Sequence, residues 1–174
     1  MTCPIKIRIF NKPSGLPCSR KHEISIRNFN RFMENYIKRS LSLKDAERMA
    51  RAAISKAGSL GLSITVTIVD ESGITKLFMR MDHCPLIAVD ASRKKAVTAV
   101  GFGMATGEPW FNFIKEDPIL REGVHGFRDF MLMGGGIPVI TDSQVIGAVG
   151  VSGGHYATDQ ECAVAAIESL NQQK

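Results

Sequence analysis

The stretch SITVTIVDESGITKLFMR, residues 63–80, decides the fold. Residues 63–70 alternate along a run that is rich in β-branched side chains, which is typical of a strand. The turn residues Glu71, Ser72 and Gly73 follow, and residues 74–80 return as a second strand. Because strands joined by so short a turn pair antiparallel, this stretch predicts a β-hairpin.

Helical patterns lie on both sides of this hairpin. Ser42 and Asp45 form a capping-box pattern, and apolar residues then recur at spacings of three and four until Gly61. A second helix is predicted over 86–104. A third helix is predicted to open at the capping box Thr158–Glu161 and to run almost to the end of the chain.

Three more strands are predicted between the last two helices. Residues 130–133 form the first, and residues 137–141 and 144–151 form a second hairpin over 142–143. The stretch 105–128 carries no regular pattern. The predicted order is helix, two strands, helix, three strands, helix, which indicates one α/β domain with helices packed around an antiparallel sheet.

The positive charge of the chain is concentrated at its N-terminus. The 174 residues fit one domain and carry a net charge of +5. Residues 1–40 hold nine basic and two acidic residues, whereas the remaining 134 hold thirteen basic and fifteen acidic ones. Since the basic stretch has neither dense runs nor interleaved aromatics, residues 1–41 are interpreted as a solvated basic extension, and no nucleic-acid partner is predicted.

The apolar runs and the cysteines indicate a cytoplasmic protein without a membrane partner. No run approaches the roughly 18–20 apolar residues that cross a bilayer, and no signal-peptide pattern opens the chain. The four cysteines are Cys3, Cys18, Cys84 and Cys162, which are too scattered for a disulfide framework. Reduced thiols in the cytoplasm are therefore expected.

A series of short motifs resembles a known family. Each motif is weak alone, but together they occur in order with sensible spacing over residues 42–170. The chain is thereby identified as similar to the GlcG/HbpS family, also called the haem-degrading domain family, which includes the C-terminal domain of PduO proteins. The motifs are Val69-Asp70-x-x-Gly73, Arg80-Met81-Asp82, Lys95-Ala96-x-Thr98-Ala99, Thr106, Gly134-Gly135-Gly136-Ile137-Pro138, and Gly147-Ala-Val-Gly-Val-Ser-Gly-Gly154 with Asp159.

The resemblance carries expectations about fold and function. It implies a domain over 42–174 with a profilin-like fold, which is a five-stranded antiparallel sheet flanked by helices on both faces. It also implies a homo-oligomer. Some members of the family are tied to haem or corrinoid binding, and others to operons for the catabolism of small carboxylates.

Two basic residues are the first candidates for ligand binding. Arg80 lies at a strand end on the face that carries Phe78, where a guanidinium suits a bidentate clamp on a carboxylate. A salt bridge to Asp82 or Asp70 is the structural alternative. Lys95 lies on a small-residue helix face and is predicted either to point at the sheet and the ligand or to be a solvated charge.

The glycine runs are candidates for close approach to a ligand. Gly134, Gly135 and Gly136 can present backbone amides to an anion, although glycines also simply make turns. Gly153 and Gly154 precede the last helix in a similar way. Neither run has the spacing of a dinucleotide or phosphate loop, so nucleotide binding is not predicted.

Histidines bear on the haem hypothesis. His125 and His155 lie in glycine-flanked loops and are the candidate axial ligands of a haem iron. His83 and His22 rank below them, and the spacing from Cys18 to His22 is a weak pattern for zinc.

Three functions stay open. In the first, a small-molecule ligand of the haem type binds with its propionates on Arg80 and Lys95. Its apolar walls are then predicted to be Phe102, Met104, Trp110 and Phe113. In the second, the protein is an enzyme, a tautomerase, hydratase or deaminase, that acts on a dicarboxylate-like metabolite. Its catalytic residues are then Arg80, Lys95, Thr106, His125 and Asp159. In the third, the protein is a non-catalytic accessory oligomer.

Overall fold

Five α-helices and four β-strands lie within residues 36–172, which are the part of the chain that the computed structural model describes. The extension predicted over residues 1–41, with Cys3, Cys18 and His22, lies almost wholly outside the described residues, and its separation from a domain at 42–174 stays a prediction. The elements are α1 (Leu43–Ser59), β1 (Thr65–Asp70), β2 (Thr75–Arg80), α2 (Ile87–Phe102), α3 (Glu108–Ile114), α4 (Pro118–Gly123), β3 (Gly136–Thr141), β4 (Gln144–Ser152) and α5 (Tyr156–Glu168). Short 3₁₀ helices at Val124–Gly126 and Ser169–Gln172 follow α4 and α5.

The four strands form one antiparallel sheet in the order β2-β1-β4-β3. Both predicted hairpins are confirmed. In the first turn Asp70 accepts hydrogen bonds from the backbone N–H groups of Ser72 and Ile74. In the second, Asp142 and Ser143 both have positive φ, of 49° and 62°, as a tight hairpin turn requires. The protein is therefore an α+β protein with a four-stranded sheet.

The predicted strand at residues 130–133 is wrong, and with it the five-stranded sheet. The backbone of this segment bonds elsewhere: the N–H of Met131 donates to the hydroxyl of Thr98, and the carbonyl of Leu132 accepts from Gly107. Phe130 and Leu132 pack on a small apolar cluster around Trp110. The apolar run at 130–133 reflects burial against that cluster and not a place in the sheet.

The two faces of the sheet bury different material. Val66 and Ile68 of β1 face α1 and α5 in an apolar core. Their neighbours on the other face, Thr65 and Thr67, face α2 instead and bond to it. The helix α2 lies so close to β4 that a side chain on Gly150 would collide with the carbonyl oxygen of Ser92.

Helix boundaries follow the predicted signals in two of three cases. Ser42 caps α1 by accepting from the N–H of Asp45 at 3.1 Å, and Gly61, which was predicted to end this helix, has a φ of 67° just beyond the C-cap Leu60. The third prediction is wrong, because α5 begins at Tyr156 and its N-cap is His155 rather than Thr158. The Thr158 hydroxyl donates to the carbonyl of His155 and lies in the first turn.

Residues 104–133 are here called the aromatic lobe. The stretch 105–128 within it, for which no regular pattern was predicted, contains α3 and α4. The lobe has its own buried cluster of Trp110, Ile114 and Val124. The rings of Phe102 and Trp110 meet edge to face with their centroids 4.6 Å apart. The lobe is therefore a second small packing unit beside the sheet.

Among the described helices, none is long and apolar enough to span a bilayer.

Candidate functional site

The glycine triplet 134–136 lies where the start of β3, the end of β4 and the helices α2 and α5 converge. Gly135 has a φ of 114°, and a Cβ atom built on it would lie 2.5 Å from the carbonyl oxygen of Val151. The same Cβ would lie 3.1 Å from the ammonium nitrogen of Lys95. Position 135 therefore requires glycine, both for its backbone conformation and for the close approach of its neighbours.

Lys95 and Asp159 form a buried ion pair behind this triplet. The ammonium of Lys95 donates to a carboxylate oxygen of Asp159 at 2.7 Å and to the carbonyl of Val151 at 2.9 Å. The other carboxylate oxygen of Asp159 accepts from the N–H of Gly154 at 2.9 Å. Each of the two side chains is only 2% exposed. Burial lowers the pKa of Lys95, and the charge of Asp159 opposes that shift.

Thr106 completes this polar cluster. Its hydroxyl oxygen accepts from the N–H of Gly136 at 2.8 Å, and its own N–H donates to the carbonyl of Gly136 at 2.9 Å. The structure thus brings together three predicted catalytic residues, Lys95, Thr106 and Asp159, around the predicted glycine triplet. All three residues are buried, and each has hydrogen-bond partners within the protein.

Arg80 does not join this cluster. It is exposed at the end of β2, where its guanidinium donates to the carbonyl of Cys84 at 3.0 Å. Within residues 36–172, no ion pair links Arg80 to Asp70 or Asp82. Arg80 and Lys95 donate hydrogen bonds to different partners, so their joint binding of an acidic ligand stays a prediction.

A groove of about 450 Å³ opens on the other side of the triplet, between the aromatic lobe and the start of α5. Its walls are mostly apolar and its floor includes Gly134. The lining residues are Gly107, Glu108, Phe111, Leu132, Met133, Gly134 and Tyr156. Of these, only Gly134 was predicted from the sequence. Of the others, Glu108, Phe111 and Tyr156 lie in the short helix α3 and at the start of α5, and neither place gives a periodic pattern in the sequence.

The predicted aromatic walls lie beside the groove and not in its lining. Trp110 is 2% exposed and forms the interior of the lobe, whereas Phe102 and Phe113 are 43% and 56% exposed. Edge-to-face contacts connect Trp110 to Phe102, Phe113 and Phe130. These rings therefore support the lobe wall that carries Phe111.

The two histidines proposed as axial ligands occupy different places. His155 lies next to the groove, because its ring stacks on the ring of Tyr156 with centroids 4.2 Å apart. Its Nδ1 accepts from the N–H of Ala157 and caps α5. His125 is exposed in the 3₁₀ helix of the lobe. Over residues 36–172, no group of three or more His, Cys, Asp or Glu side chains is arranged to hold a metal ion.

Comparison with known proteins gives the family. A family model described as "Haem degrading protein HbpS-like" matches residues 41–168. The chain belongs to this HbpS-like family. The resemblance read from the sequence motifs is thereby confirmed.

Relatives of this HbpS-like chain carry varied names. It is 32% identical over 133 residues to an uncharacterized 15.0 kDa protein in the dhaT-dhaS intergenic region of Citrobacter freundii, covering 76% of this chain and 94% of that protein. It is 31% identical to the corrinoid adenosyltransferase PduO of Salmonella typhimurium over 76% of this chain but only 39% of PduO. It is also 31% identical to the protein in a solved structure described as a PduOC:heme complex, with a TM-score of 0.69, covering 76% of this chain and 96% of that one.

Proposed function

We propose that this chain binds haem or a related tetrapyrrole in the groove between the aromatic lobe and α5. The observation that carries the proposal is the groove itself, whose volume and mostly apolar lining are typical of a small-molecule site. Family membership supports it, and so does the likeness to a PduOC:heme complex at 31% identity.

The residues present fit a flat, apolar ligand. Phe111 and Met133 on the lobe and Tyr156 on α5 are each about half exposed, so their side chains have free surface to offer. Gly134 leaves space at the base of the groove, because any Cβ there would approach the backbone oxygen of Tyr156 to 3.2 Å. When bound, haem would supply an iron with axial positions for an imidazole.

His155 is the axial-ligand candidate that adjoins the groove. While Nδ1 accepts the hydrogen bond from Ala157, the proton of the neutral ring is on Nε2. Moving that proton to Nδ1 frees Nε2 for iron and costs one N-cap hydrogen bond, which is worth about 1 kcal/mol. His155 therefore caps α5 in this structure and would be the residue that holds the iron at that cost. His125 is the second candidate, from the lobe.

Further features belong to the same proposal. Arg80 is exposed and can reach the carboxylate of a ligand at the molecular surface. The half-exposed apolar rim of the groove suits cover by a second copy of the chain in a homo-oligomer. Cys84 and Cys162 are buried free thiols, which favours a reducing, cytoplasmic setting. We propose that this four-stranded sheet with helices on both faces is related to the profilin-like fold.

A hemin titration of the full chain tests the proposal. We expect saturable binding with a Soret shift in the wild type, and loss of the shift in His155→Asn, since asparagine keeps the N-cap but removes the imidazole. His125→Asn is the matched control on the lobe and should leave the shift in place. Absence of any saturable shift in the wild type would refute haem binding, and loss of the shift in His125→Asn alone would assign the iron to the lobe histidine.

One observation favours a second candidate function. A buried lysine with a lowered pKa beside a carboxylate is an arrangement that enzymes use for proton transfer. We therefore keep an enzyme acting on a small dicarboxylate-like metabolite as the alternative, with Lys95, Thr106 and Asp159 as its polar centre. Calorimetric binding of a small diacid that is weakened at least fivefold by Arg80→Ala, without any hemin shift, would support it.

A further inference from the structure

One charged side chain lines the groove: Glu108, the first residue of α3. The other lining residues are glycines, Phe111, Leu132, Met133 and Tyr156, none of which carries a charge at neutral pH. Within residues 36–172, no Lys, Arg or His nitrogen lies within 4.0 Å of the Glu108 carboxylate. A single acidic residue, exposed to solvent and without an ion-pair partner among the described residues, therefore belongs to the lining of an otherwise uncharged slot.

The backbone that carries Glu108 is fixed in place. Its predecessor Gly107 has a φ of 89°, and a Cβ there would lie 2.9 Å from the Cα of Gly134 on the groove floor. The N–H of Gly107 also donates to the carbonyl of Leu132 at 2.6 Å. Pro109 follows Glu108 and restricts the first turn of α3. These contacts constrain the backbone position of Glu108 relative to the groove floor.

We infer that Glu108 sets the orientation of a tetrapyrrole in the groove. It repels ligand carboxylates, so that the uncharged edge of the macrocycle meets α3 and the propionates are directed to the open rim. This inference rests on the proposed function and names the residue that selects among ligands of that class. Two like charges at contact distance repel even near a protein surface, and salt screens that repulsion.

A thermodynamic cycle between protein charge and ligand charge tests the inference. Protoporphyrin IX has two carboxylates, and its dimethyl ester has none at neutral pH. The single tryptophan of the chain, Trp110, is buried in the lobe beside the groove, so quenching of its fluorescence reports binding without iron. Binding of both ligands is measured to the wild type, to Glu108→Gln and to Glu116→Gln. Glu116 is an exposed acid of the same lobe that does not line the groove.

Glu108→Gln should bind the diacid about 3- to 10-fold more tightly than the wild type at low ionic strength, with the ester changed less than about twofold. Glu116→Gln should change neither, and the gain for the diacid should shrink in about 0.5 M salt. Equal changes for diacid and ester, or none, would overturn the orienting role while leaving tetrapyrrole binding intact. Failure of the wild type to bind either porphyrin saturably would overturn the orienting role, and absence of a hemin shift as well would overturn both proposals.

Discussion

The two faces of the sheet differ in what they bury. On the face toward α1 and α5, the buried residues are apolar, with Met49, Val66, Ile68 and Val151 all fully inaccessible to solvent. On the face toward α2, the apolar cluster is small, and buried hydroxyls and one ammonium lie among alanines. The first face is stabilised mainly by removal of apolar surface from water. The second depends on polar groups that must each find a partner.

The candidate site lies on the polar face. The polar face carries Lys95 and Thr106, which meet Asp159 and the glycine triplet at the edge of the groove. Groups of this kind define one arrangement, because a misplaced partner leaves a buried charge or hydrogen-bonding atom without compensation. The apolar face tolerates similar side chains more readily. Three measurements can break or sharpen this contrast.

Loss of the buried charge on the polar face should have the largest effect. Lys95→Met keeps most of the side-chain volume but leaves the Asp159 carboxylate buried without its cation. We expect the free energy of unfolding to fall by about 3–5 kcal/mol. Urea unfolding followed by circular dichroism measures it.

The neighbouring residue offers a matched control. Lys94 pairs with Asp90 at 2.8 Å in a partly exposed position, so Lys94→Met should cost less than about 1 kcal/mol. Adding Asp159→Asn to Lys95→Met should recover more than about half of the loss, because the buried charge is then gone while Gly154 keeps an acceptor. Similar losses for Lys95→Met and Lys94→Met would contradict the contrast between the two faces.

The sequence predicted the elements of both faces better than the contacts between them. Both hairpins, the cap at Ser42 and the helix end at Gly61 follow from local chemistry, since each bonds within a few residues. The false strand at 130–133 arose because an apolar run records burial and does not record what covers it. Phe130 and Leu132 pack against the cluster around Trp110.

The candidate site was predicted in part for the same reason. Motif resemblance selected Lys95, Thr106, Asp159 and the glycine triplet, but nothing local pairs Lys95 with a carboxylate 64 residues away. The groove residues Glu108 and Tyr156 each begin a helix, where side chains follow no amphipathic pattern. Their contribution depends on how the lobe packs beside α5, which only the folded chain specifies.

A pH dependence on the apolar face is the second measurement. Cys162 lies in the apolar core, and burial raises its pKa from 9.0 to about 11. Between these values the unfolded chain loses the thiol proton while the folded chain keeps it, so stability falls as pH rises from about 9 to about 11. The loss should be on the order of 2 kcal/mol. Comparing the slopes of unfolding free energy against pH for the wild type and Cys162→Ala isolates this contribution.

Lys95 on the polar face acts in the opposite direction. Its folded pKa lies below the ordinary 10.5, so as pH rises from the folded value toward 10.5 the unfolded chain holds more protons and stability rises. In Cys162→Ala, the free energy of unfolding should therefore no longer fall at alkaline pH but should rise. Adding Lys95→Met should remove that rise. If the slope of unfolding free energy against alkaline pH were the same in Cys162→Ala as in the wild type, the pKa of Cys162 would not be raised by folding.

The smallest effect is expected where the polar face is uncharged. The hydroxyls of Thr67 and Ser92 bond to each other at 2.8 Å across β1 and α2, and Ser92 also donates to the carbonyl of Val89. Thr67→Val keeps the volume but removes one partner, so it should cost about 1 kcal/mol. In a Ser92→Ala background the same change should cost nearly nothing, because no hydroxyl is then left without its neighbour.

Ile68, the adjacent residue on the apolar face, provides the control. Ile68→Val should cost about 0.5–1.5 kcal/mol in either background, since only apolar contact is lost. Coupling of Thr67 but not Ile68 to Ser92, measured in a double-mutant cycle, would separate the two modes of stabilisation at neighbouring positions of one strand. Equal coupling of both would mean that the faces differ in composition only.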